Sequence, residues 1–240
     1  MSLQRRMSEA ESKLRDGLKI LGFSGDLLPR RLLEFAGFVL EANAETNLVG
    51  ASSLEELVAT HLLDSLAPFA GRSIHGDLID IGSGAGFPAI PIAMAFPTVS
   101  PVMLEPRAKR VAFLTDIIGP LDLKEASARK SMAETAGRSD LRESADIVTL
   151  RAVAAPTTAL ELAIPLLRRR GKALLYIGRQ SEPDQHELEI ADLLGAALLE
   201  AKPVEVPYLL SVRHAWWFEK KKPTPSGYPR RAKVPSKQPL

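Results

Sequence analysis

The spacing of hydrophobic positions along the chain changes near residue 76. Before that point, apolar side chains recur every three or four residues over 8–24, 28–44 and 53–67, which predicts three helices that each bury one face. After it, short apolar runs alternate with amphipathic stretches. Because this alternation is typical of strands joined by helices, it predicts a mostly parallel sheet with helices on both faces.

The predicted elements of this second part follow one another regularly. Strands are expected at 78–81, 99–104, 123–126, 145–150 and 172–177, followed by a closing antiparallel pair at 204–210 and 212–219. Helices are expected at 88–95, 107–118, 130–137, 156–167 and 184–199, with Arg168 to Arg170 as a solvated helix end. Five prolines in the last 18 residues predict an extended tail. We therefore divide the chain into a helical extension (1–70), an α/β domain (71–222) and a tail (223–240).

A glycine-rich turn follows the first predicted strand, in the sequence Asp80-Ile81-Gly82-Ser83-Gly84-Ala85-Gly86-Phe87-Pro88. Glycine permits positive φ and lets a ligand approach the main chain closely. Dinucleotide-binding folds use the spacing G-x-G-x-x-G, with a pyrophosphate at the helix N-terminus. Here the spacing is G-x-G-x-G, and the carboxylate of Asp80 suits a cationic amino group better than a pyrophosphate. The turn therefore favours S-adenosylmethionine, which carries an ammonium and no phosphate, over a nicotinamide cofactor.

A second carboxylate lies where a ribose would be bound. Glu105 follows the second predicted strand, and in an open α/β sheet ligands bind at the carboxyl ends of the strands. Its two oxygens could accept hydrogen bonds from both ribose hydroxyls. The alternative is a surface ion pair between Glu105 and Arg107 or Lys109.

Two further clusters carry polar side chains toward the same edge. His61, Asp64 and Ser65 share one face of the third predicted helix, either to close over the cofactor or simply to face water. Arg151 follows the fourth strand, where its guanidinium could hold phosphate or the O6 atom of a guanine. The alternative for Arg151 is an ion pair with a carboxylate such as Asp146.

Charge is divided unevenly along the chain. The net charge is +2, but residues 220–240 contain seven basic residues and no acidic one. The remaining 24 basic residues face 29 acidic ones, a net charge of −5 for the body. A basic tail on an acidic body indicates contact with a polyanion such as RNA, or a tail that is merely solvated.

Composition excludes several classes of site and location. The chain has no cysteine and four histidines, none paired at metal-ligand spacing, so we expect no disulfide, no thiolate nucleophile and no metal. Its N-terminus has no apolar signal-peptide core, and its most apolar run is too short to span a bilayer. We expect a soluble, cytoplasmic protein that acts as a monomer.

With these motifs in order, the chain resembles the bacterial 16S ribosomal RNA guanine-N7 methyltransferases, also called glucose-inhibited division protein B. The resemblance extends from Asn47 to the C-terminus. Besides the glycine turn, it rests on Asn47-Leu48, His61-x-x-Asp64-Ser65, Pro106-x-x-Lys109-Arg110-Val111-x-Phe113-Leu114, Arg151-Ala152-Val153 and Tyr228-Pro229-Arg230-Arg231-x-x-x-Pro235.

The resemblance implies a Rossmann-like S-adenosylmethionine-dependent methyltransferase fold with a seven-stranded sheet. It also implies methylation of N7 of one guanine in 16S rRNA, guanine-527 in the usual rRNA numbering, on naked RNA or on a small-subunit precursor. The implied cofactor site comprises Asp80, Gly82, Ser83, Gly84, Gly86, Phe87, Glu105, Arg129, Lys130 and Arg151. Arg151 also positions the substrate near the methyl group, supported by His61, Asp64 and Asn47, and no general base is needed because N7 already carries a lone pair.

RNA binding is assigned to basic residues of the body and tail. They are Arg107, Lys109, Arg110, Arg179, Lys220, Lys221, Lys222, Arg230, Arg231 and Lys233. The family has a lysine after its fifth strand, and this chain has Ile177 at that position. Arg179 is included because it follows shortly afterwards and could supply the missing charge. Alternatives are a methyltransferase acting on another RNA, a small molecule or a protein, a non-catalytic RNA-binding assembly factor, and a NAD(P) dehydrogenase, which the turn disfavours.

Overall fold

The computed structural model describes residues 3–240, with side chains from residue 7 onward. A seven-stranded sheet with the strand order β3-β2-β1-β4-β5-β7-β6 organises the chain, and every strand pair is parallel except those that β7 makes. The strands are β1 (Gly76–Ile81), β2 (Val99–Leu104), β3 (Ser127–Arg129), β4 (Ala145–Arg151), β5 (Leu167–Ile177), β6 (Ala196–Val204) and β7 (Arg213–Lys220). This sheet confirms the mostly parallel Rossmann-like architecture that the sequence predicts.

The helices lie on both faces of the sheet, as expected. They are α1 (Leu3–Ile20), α2 (Leu27–Thr46), α3 (Leu54–Leu57), α4 (Asp64–Leu66), α5 (Ala89–Ala95), α6 (Ala108–Ile118), α7 (Ala133–Ala136), α8 (Pro156–Ala163), α9 (Gln185–Leu194) and α10 (Val234–Lys237). A π-helical turn, Val58–Leu63, joins α3 to α4. Within residues 3–240, no helix is both long and apolar enough to cross a membrane.

The N-terminal helices share one hydrophobic core with the sheet. Leu14 of α1 and Phe35 of α2 are fully buried in the same cluster as Leu78 of β1 and Trp217 of β7. The rings of Phe35 and Phe87 lie 4.9 Å apart, so α2 packs directly against the end of the glycine turn. Burial of this apolar area fixes the helical extension beside the carboxyl edge of the sheet, since apolar surface removed from water stabilises at about 25 cal/mol per Å².

Four predicted elements differ from the structure. The third strand is Ser127–Arg129, directly after the predicted 123–126. The run Arg168 to Arg170 begins β5 and is not a helix end, because the preceding helix stops before the strand residue Leu167. The helix predicted at 184–199 is α9, and it ends at Leu194 because Gly195 takes φ +95. The next strand, β6, is therefore Ala196–Val204, and the predicted strand at 204–210 is wrong.

The tail is docked on the body and is not wholly extended. Its last residues include the short helix α10, which contacts α8. Main-chain carbonyls of the tail accept hydrogen bonds from two arginines beside α7. Arg142 donates to the carbonyls of Thr224 and Tyr228, and Arg138 donates to that of Pro229. The proline-rich composition therefore does not keep the tail in solvent.

Candidate functional site

The glycine-rich turn bends the chain sharply between β1 and α5. Gly82, Gly84 and Gly86 all have positive φ, at +70, +57 and +96. The backbone N–H of Gly82 donates to the carbonyl of Leu104 at 2.8 Å, which ties the turn to the end of β2. A Cβ on Gly86 would come within 2.6 Å of Ile90, whereas one on Gly84 would meet nothing closer than 3.6 Å. Gly86 is therefore closely packed, whereas a Cβ on Gly84 would make only ordinary van der Waals contacts.

Asp80 lies beneath the turn and is fully buried. Its Oδ1 accepts a hydrogen bond of 2.7 Å from the hydroxyl of Thr149 on β4. Its Oδ2 has no partner among the described residues. Burial raises the pKa of Asp80 from 3.8 to about 6, because desolvation penalises the charged form. A buried carboxylate oxygen without a partner favours a cationic ligand nearby.

Glu105 is held at the end of β2 by the main chain. One carboxylate oxygen accepts from the N–H of Gly84 at 3.1 Å and the other from the N–H of Arg107 at 2.9 Å. Its expected surface pairing with Arg107 is thus a main-chain hydrogen bond, while the guanidinium of Arg110 lies 3.8 Å away. Since each oxygen has about two lone-pair sites, both can accept one further hydrogen bond.

Two adjoining cavities open at the carboxyl edge of the sheet, and they share Gly82, Arg110 and Ala152 as walls. The smaller, of about 320 Å³, surrounds Glu105. The larger, of about 610 Å³, contains His61, Asp64 and Arg151. Together the two cavities extend from Glu105, the candidate for ribose binding, to His61 and Asp64 of the helical extension.

Arg151 joins the end of β4 to the π-helical turn. Its guanidinium donates to Asp64 Oδ2 at 2.8 Å, to His61 Nδ1 at 2.8 Å and to the carbonyl of Thr60 at 3.2 Å. The π-helical turn is a local widening of a helix, a feature that is frequent at functional sites. The partner of Arg151 is therefore Asp64, not the alternative Asp146, which pairs with Arg168 at the opposite edge of the sheet.

His61 is neutral in this arrangement. Burial and then the neighbouring charge of Arg151 lower the pKa of His61 from 6.5 to about 4. A guanidinium can only donate, so Nδ1 accepts and the proton resides on Nε2. The imidazole lies 4.9 Å from the ring of Phe87 at an interplanar angle of 31°, which extends a flat aromatic wall along the larger cavity.

Three residues of the larger cavity were not predicted from the sequence. The Nε of Arg213 lies 3.4 Å from Asp64, the hydroxyl of Tyr176 donates to the carbonyl of Ser65 at 2.7 Å, and Nδ1 of His214 is buried without a partner in the described structure. Arg213 and His214 begin β7, which is antiparallel to its neighbours. An antiparallel strand brings its amino end to the carboxyl edge of the others. Residues at the start of β7 are therefore missed when only the carboxyl ends of strands are considered.

Five predicted site residues line neither cavity: Asp80 and Gly86, which lie beneath and within the turn, and Asn47, Arg129 and Lys130, which lie farther from it. Asn47 is the exposed C-cap of α2, with φ +47, and the neighbouring Leu48 lines the larger cavity in its place. Arg129 pairs with the exposed Asp140, and Lys130 is exposed, so neither lies in a cavity wall. The segment Ser131–Glu134 lines the smaller cavity instead. The wall next to Glu105 is therefore formed by residues that follow Arg129 and Lys130 in the chain.

The predicted RNA-binding cations fall into two groups. Those at the surface are Arg107, Lys109, Arg179, Lys221, Lys222, Arg231 and Lys233, and Arg110 is half-buried between the cavities. Lys220 and Arg230 differ from this group. Lys220 is 1% exposed and donates to the carbonyl of Ile164, and Arg230 is bound to the buried Glu161. The ammonium of Lys220 is therefore occupied inside the protein and the guanidinium of Arg230 is occupied by Glu161 at a half-buried position, which argues against a contact of either with RNA.

Within residues 3–240, no three His, Asp or Glu side chains form a group that could hold a metal ion.

Comparison with known proteins shows similarity over almost the entire chain. A family model described as rRNA small subunit methyltransferase G matches residues 29–210. The Ribosomal RNA small subunit methyltransferase G of Macrococcus caseolyticus is 34% identical over 237 residues, which cover 96% of this chain and 98% of that protein. The protein of the same name from Gloeobacter violaceus is 37% identical over 225 residues, covering 92% and 90%.

Solved structures of lower identity share the fold. TYW2 of Pyrococcus horikoshii, in complex with MeSAdo, has a TM-score of 0.53 at 14% identity over 68% of this chain and 63% of that one. The cyclase SpnF has the same TM-score and identity over 79% of this chain and 94% of that one. Because a cyclase shares the architecture, these likenesses establish the fold alone, and the activity has to be argued from the site.

Proposed function

The chain belongs to the rRNA small subunit methyltransferase G family, and we propose that it transfers a methyl group from S-adenosylmethionine to N7 of a guanine in 16S rRNA. The observation that carries the proposal is the Arg151–Asp64–His61 cluster, which closes the larger cavity directly beside the glycine turn. The cluster supplies fixed donors and a flat wall, and its histidine is not protonated near neutral pH.

The residues around the two cavities fit S-adenosylmethionine. Gly84 lines the larger cavity and has no side chain, so a ligand can lie against the main chain of the turn. Glu105 retains acceptor capacity for the ribose hydroxyls. Asp80 lies beneath the turn and lines neither cavity, and its unpartnered oxygen carries a charge that suits the ammonium of the methionine end. When bound, S-adenosylmethionine supplies an electrophilic methyl carbon attached to a sulfonium.

The protein's own contribution is positioning. Guanine N7 is a nucleophile through its lone pair, so no side chain has to remove a proton before transfer. Arg151 is held by Asp64 and His61, which fixes its guanidinium in one orientation and leaves few donors free. Alignment of the reacting atoms and exclusion of water can together lower a barrier by about 7–11 kcal/mol. We assign Arg151, with Phe87 and His61 as the wall, to orienting the guanine.

RNA recognition in this proposal uses the exposed cations next to the cavities. Arg107 and Lys109 lie at the start of α6, Arg179 follows β5, and Arg231 is exposed on the docked tail. These groups would contact phosphates and fix the register of the RNA without determining which base is methylated. The proposal also retains the expectation of a monomer that acts in the cytoplasm, where the small ribosomal subunit is assembled, and light scattering of the purified protein tests the oligomeric state.

The proposal is tested by mass spectrometry of nucleosides. The purified protein is incubated with methyl-labelled S-adenosylmethionine and either naked 16S rRNA or small subunits from a strain that lacks this methylation. We expect labelled 7-methylguanosine at one site in at least one of the two substrates. Label in a different nucleoside or only in protein would contradict the target atom, and cofactor binding without transfer would favour a non-catalytic assembly factor.

A further inference from the structure

We propose that the docked C-terminal segment, residues 228–237, forms one wall of the S-adenosylmethionine site at its adenosine end, and that Arg230 positions this wall. The proposal rests on the proposed function, because it requires the cofactor to occupy the smaller cavity. Its starting observation is that Ser236 of α10 lines the same cavity as Glu105. The sequence alone assigns this tail to RNA.

Arg230 anchors the segment to α8. Its backbone N–H, its Nε and its Nη2 all donate to the carboxylate of Glu161, at 2.8, 2.9 and 2.6 Å. Glu161 is fully buried. A buried carboxylate is costly unless it is paired and hydrogen-bonded, so Glu161 holds the tail in one place with a bidentate side-chain pair and a main-chain bond.

Two further anchors come from the cavity wall itself. The hydroxyl of Thr158 donates to the carbonyl of Pro235 at 3.1 Å, and the backbone N–H of Lys233 donates to Glu134 at 2.9 Å. Thr158 and Glu134 both line the smaller cavity and are buried. The segment is therefore bonded to the residues that surround the adenosine end, so displacement of the tail would open the cavity to solvent.

The tail also packs closely upstream of these anchors. Arg138 and Arg142 donate to main-chain carbonyls between Thr224 and Pro229. A Cβ on Gly137 would come within 2.9 Å of the ring of Pro229. These contacts leave the segment little freedom to leave the surface as an RNA-binding arm, whereas they hold α10 against the cavity.

The experiment measures binding of S-adenosylmethionine and of 5′-methylthioadenosine, which contains the adenosine half without the amino acid, by calorimetric titration. Arg230→Met removes the side-chain anchor, and truncation after Ala232 removes α10 while keeping the Arg230–Glu161 pair. We expect both changes to weaken the two ligands by the same factor, tenfold or more. Arg169→Met, an exposed cation at the opposite edge of the sheet, is the matched control and leaves both affinities unchanged.

Steady-state kinetics distinguishes the wall from an RNA-binding arm. We expect the KM for S-adenosylmethionine to rise in Arg230→Met with the KM for RNA unchanged, and Arg230→Lys to restore part of this loss. A rise only in the KM for RNA would overturn the inference. So would unchanged affinity for 5′-methylthioadenosine in the truncated protein, which decides the question if Arg230→Met does not fold. Failure of the unmodified protein to bind either ligand would instead refute the proposed function.

Discussion

The guanidinium of Arg151 donates a 2.8 Å hydrogen bond to the carboxylate of Asp64, which joins the last residue of β4 to the first residue of α4. The two side chains are 15% and 8% exposed, so the ion pair is largely shielded from water. Because Asp64 also lies 3.4 Å from Arg213, one carboxylate orients two guanidinium groups in the larger cavity. The helical extension is thus part of the site.

The first prediction concerns this carboxylate. Asp64→Asn removes the charge that fixes both arginines, so we expect kcat for rRNA methylation to fall by about 10–100-fold while S-adenosylmethionine still binds, since small misplacement near reacting atoms can cost about a hundredfold. Asp146→Asn, which breaks the pair with Arg168 at the far edge of the sheet, is the matched control. Equal activity of the two variants would contradict the positioning role of Asp64.

A second prediction uses two glycines of one turn. Gly84→Ala adds a methyl group at φ +57 that meets no protein atom closer than 3.6 Å, so we expect a folded protein destabilised by about 1–2 kcal/mol that binds S-adenosylmethionine more than tenfold more weakly. Gly86→Ala places its Cβ within 2.6 Å of Ile90, and we expect a larger loss of thermal stability, of about 1–3 kcal/mol or more. Normal cofactor affinity in Gly84→Ala would show that no ligand lies against the turn.

A third prediction follows from the raised pKa of Asp80. A carboxyl group with a pKa of 3.8 when unfolded and about 6 when folded contributes stability below pH 4 that is lost as pH rises through 6. Asp80→Asn removes this loss. The free energy of unfolding of Asp80→Asn relative to the unmodified protein should therefore increase by about 3 kcal/mol between pH 3.5 and pH 7.5.

The same substitution separates stability from binding. If the charge of Asp80 attracts the ammonium, S-adenosylmethionine should bind the unmodified protein more tightly as pH rises from 5 to 7, and Asp80→Asn should lose this dependence. His61 has the opposite effect on stability, because its lowered pKa makes the fold lose stability as pH falls from 6.5 to about 4. Because the unmodified protein and Asp80→Asn both contain His61, the difference between their pH dependences of stability reports Asp80 alone.

A fourth prediction tests the absence of acid–base catalysis. His61 is neutral above about pH 5, so we expect kcat to be independent of pH from 7 to 9 and to show no limb that belongs to His61. The measurement is a pH–rate profile for the unmodified protein and for His61→Asn. A limb with an apparent pKa of about 6–7 that disappears in His61→Asn would make His61 a proton-transfer group.

The fifth prediction concerns the exposed cations of the tail. Arg231 and Lys237 are exposed, and their side chains have no hydrogen-bond or ion-pair partner in residues 3–240. If they contact phosphates, Arg231→Ala/Lys237→Ala should lower the slope of log affinity against log salt by about 0.7 for each phosphate that is no longer neutralised. Lys124→Ala/Arg169→Ala, at the opposite edge of the sheet, is the control. An unchanged slope would remove the tail from RNA binding.

The parts of the site that the sequence predicts are those that obey a local rule. The turn at 82–86, Glu105 and Arg151 all follow apolar strands, and parallel strands bring such positions to one edge. The alternation of elements likewise predicts the sheet, because each apolar run has to be buried between amphipathic helices. Side-chain spacing on one helix brings His61 and Asp64 to a common face.

The parts that escape prediction depend on contacts between distant segments. Arg213 enters the cavity because β7 runs antiparallel, and no pattern within the strand indicates that direction. Lys220 has the appearance of a surface cation, but Glu143 and the carbonyl of Ile164 compensate its charge inside the fold. The docking of the tail cannot be predicted from the sequence for a related reason. Arg138 and Arg142 bind main-chain carbonyls of the tail, and every residue has such a carbonyl.

Recognition of the tail through its main chain has an evolutionary consequence. Arg138 and Arg142 bind main-chain carbonyls of the tail, so substitutions at the exposed positions 225–227 that preserve the backbone course should be tolerated. The exposed side chains of this stretch can then vary while the hydrogen bonds that hold its main chain on the protein are kept. If this stretch contacts the RNA substrate, sequence changes there would alter that contact and leave the residues of the two cavities unchanged.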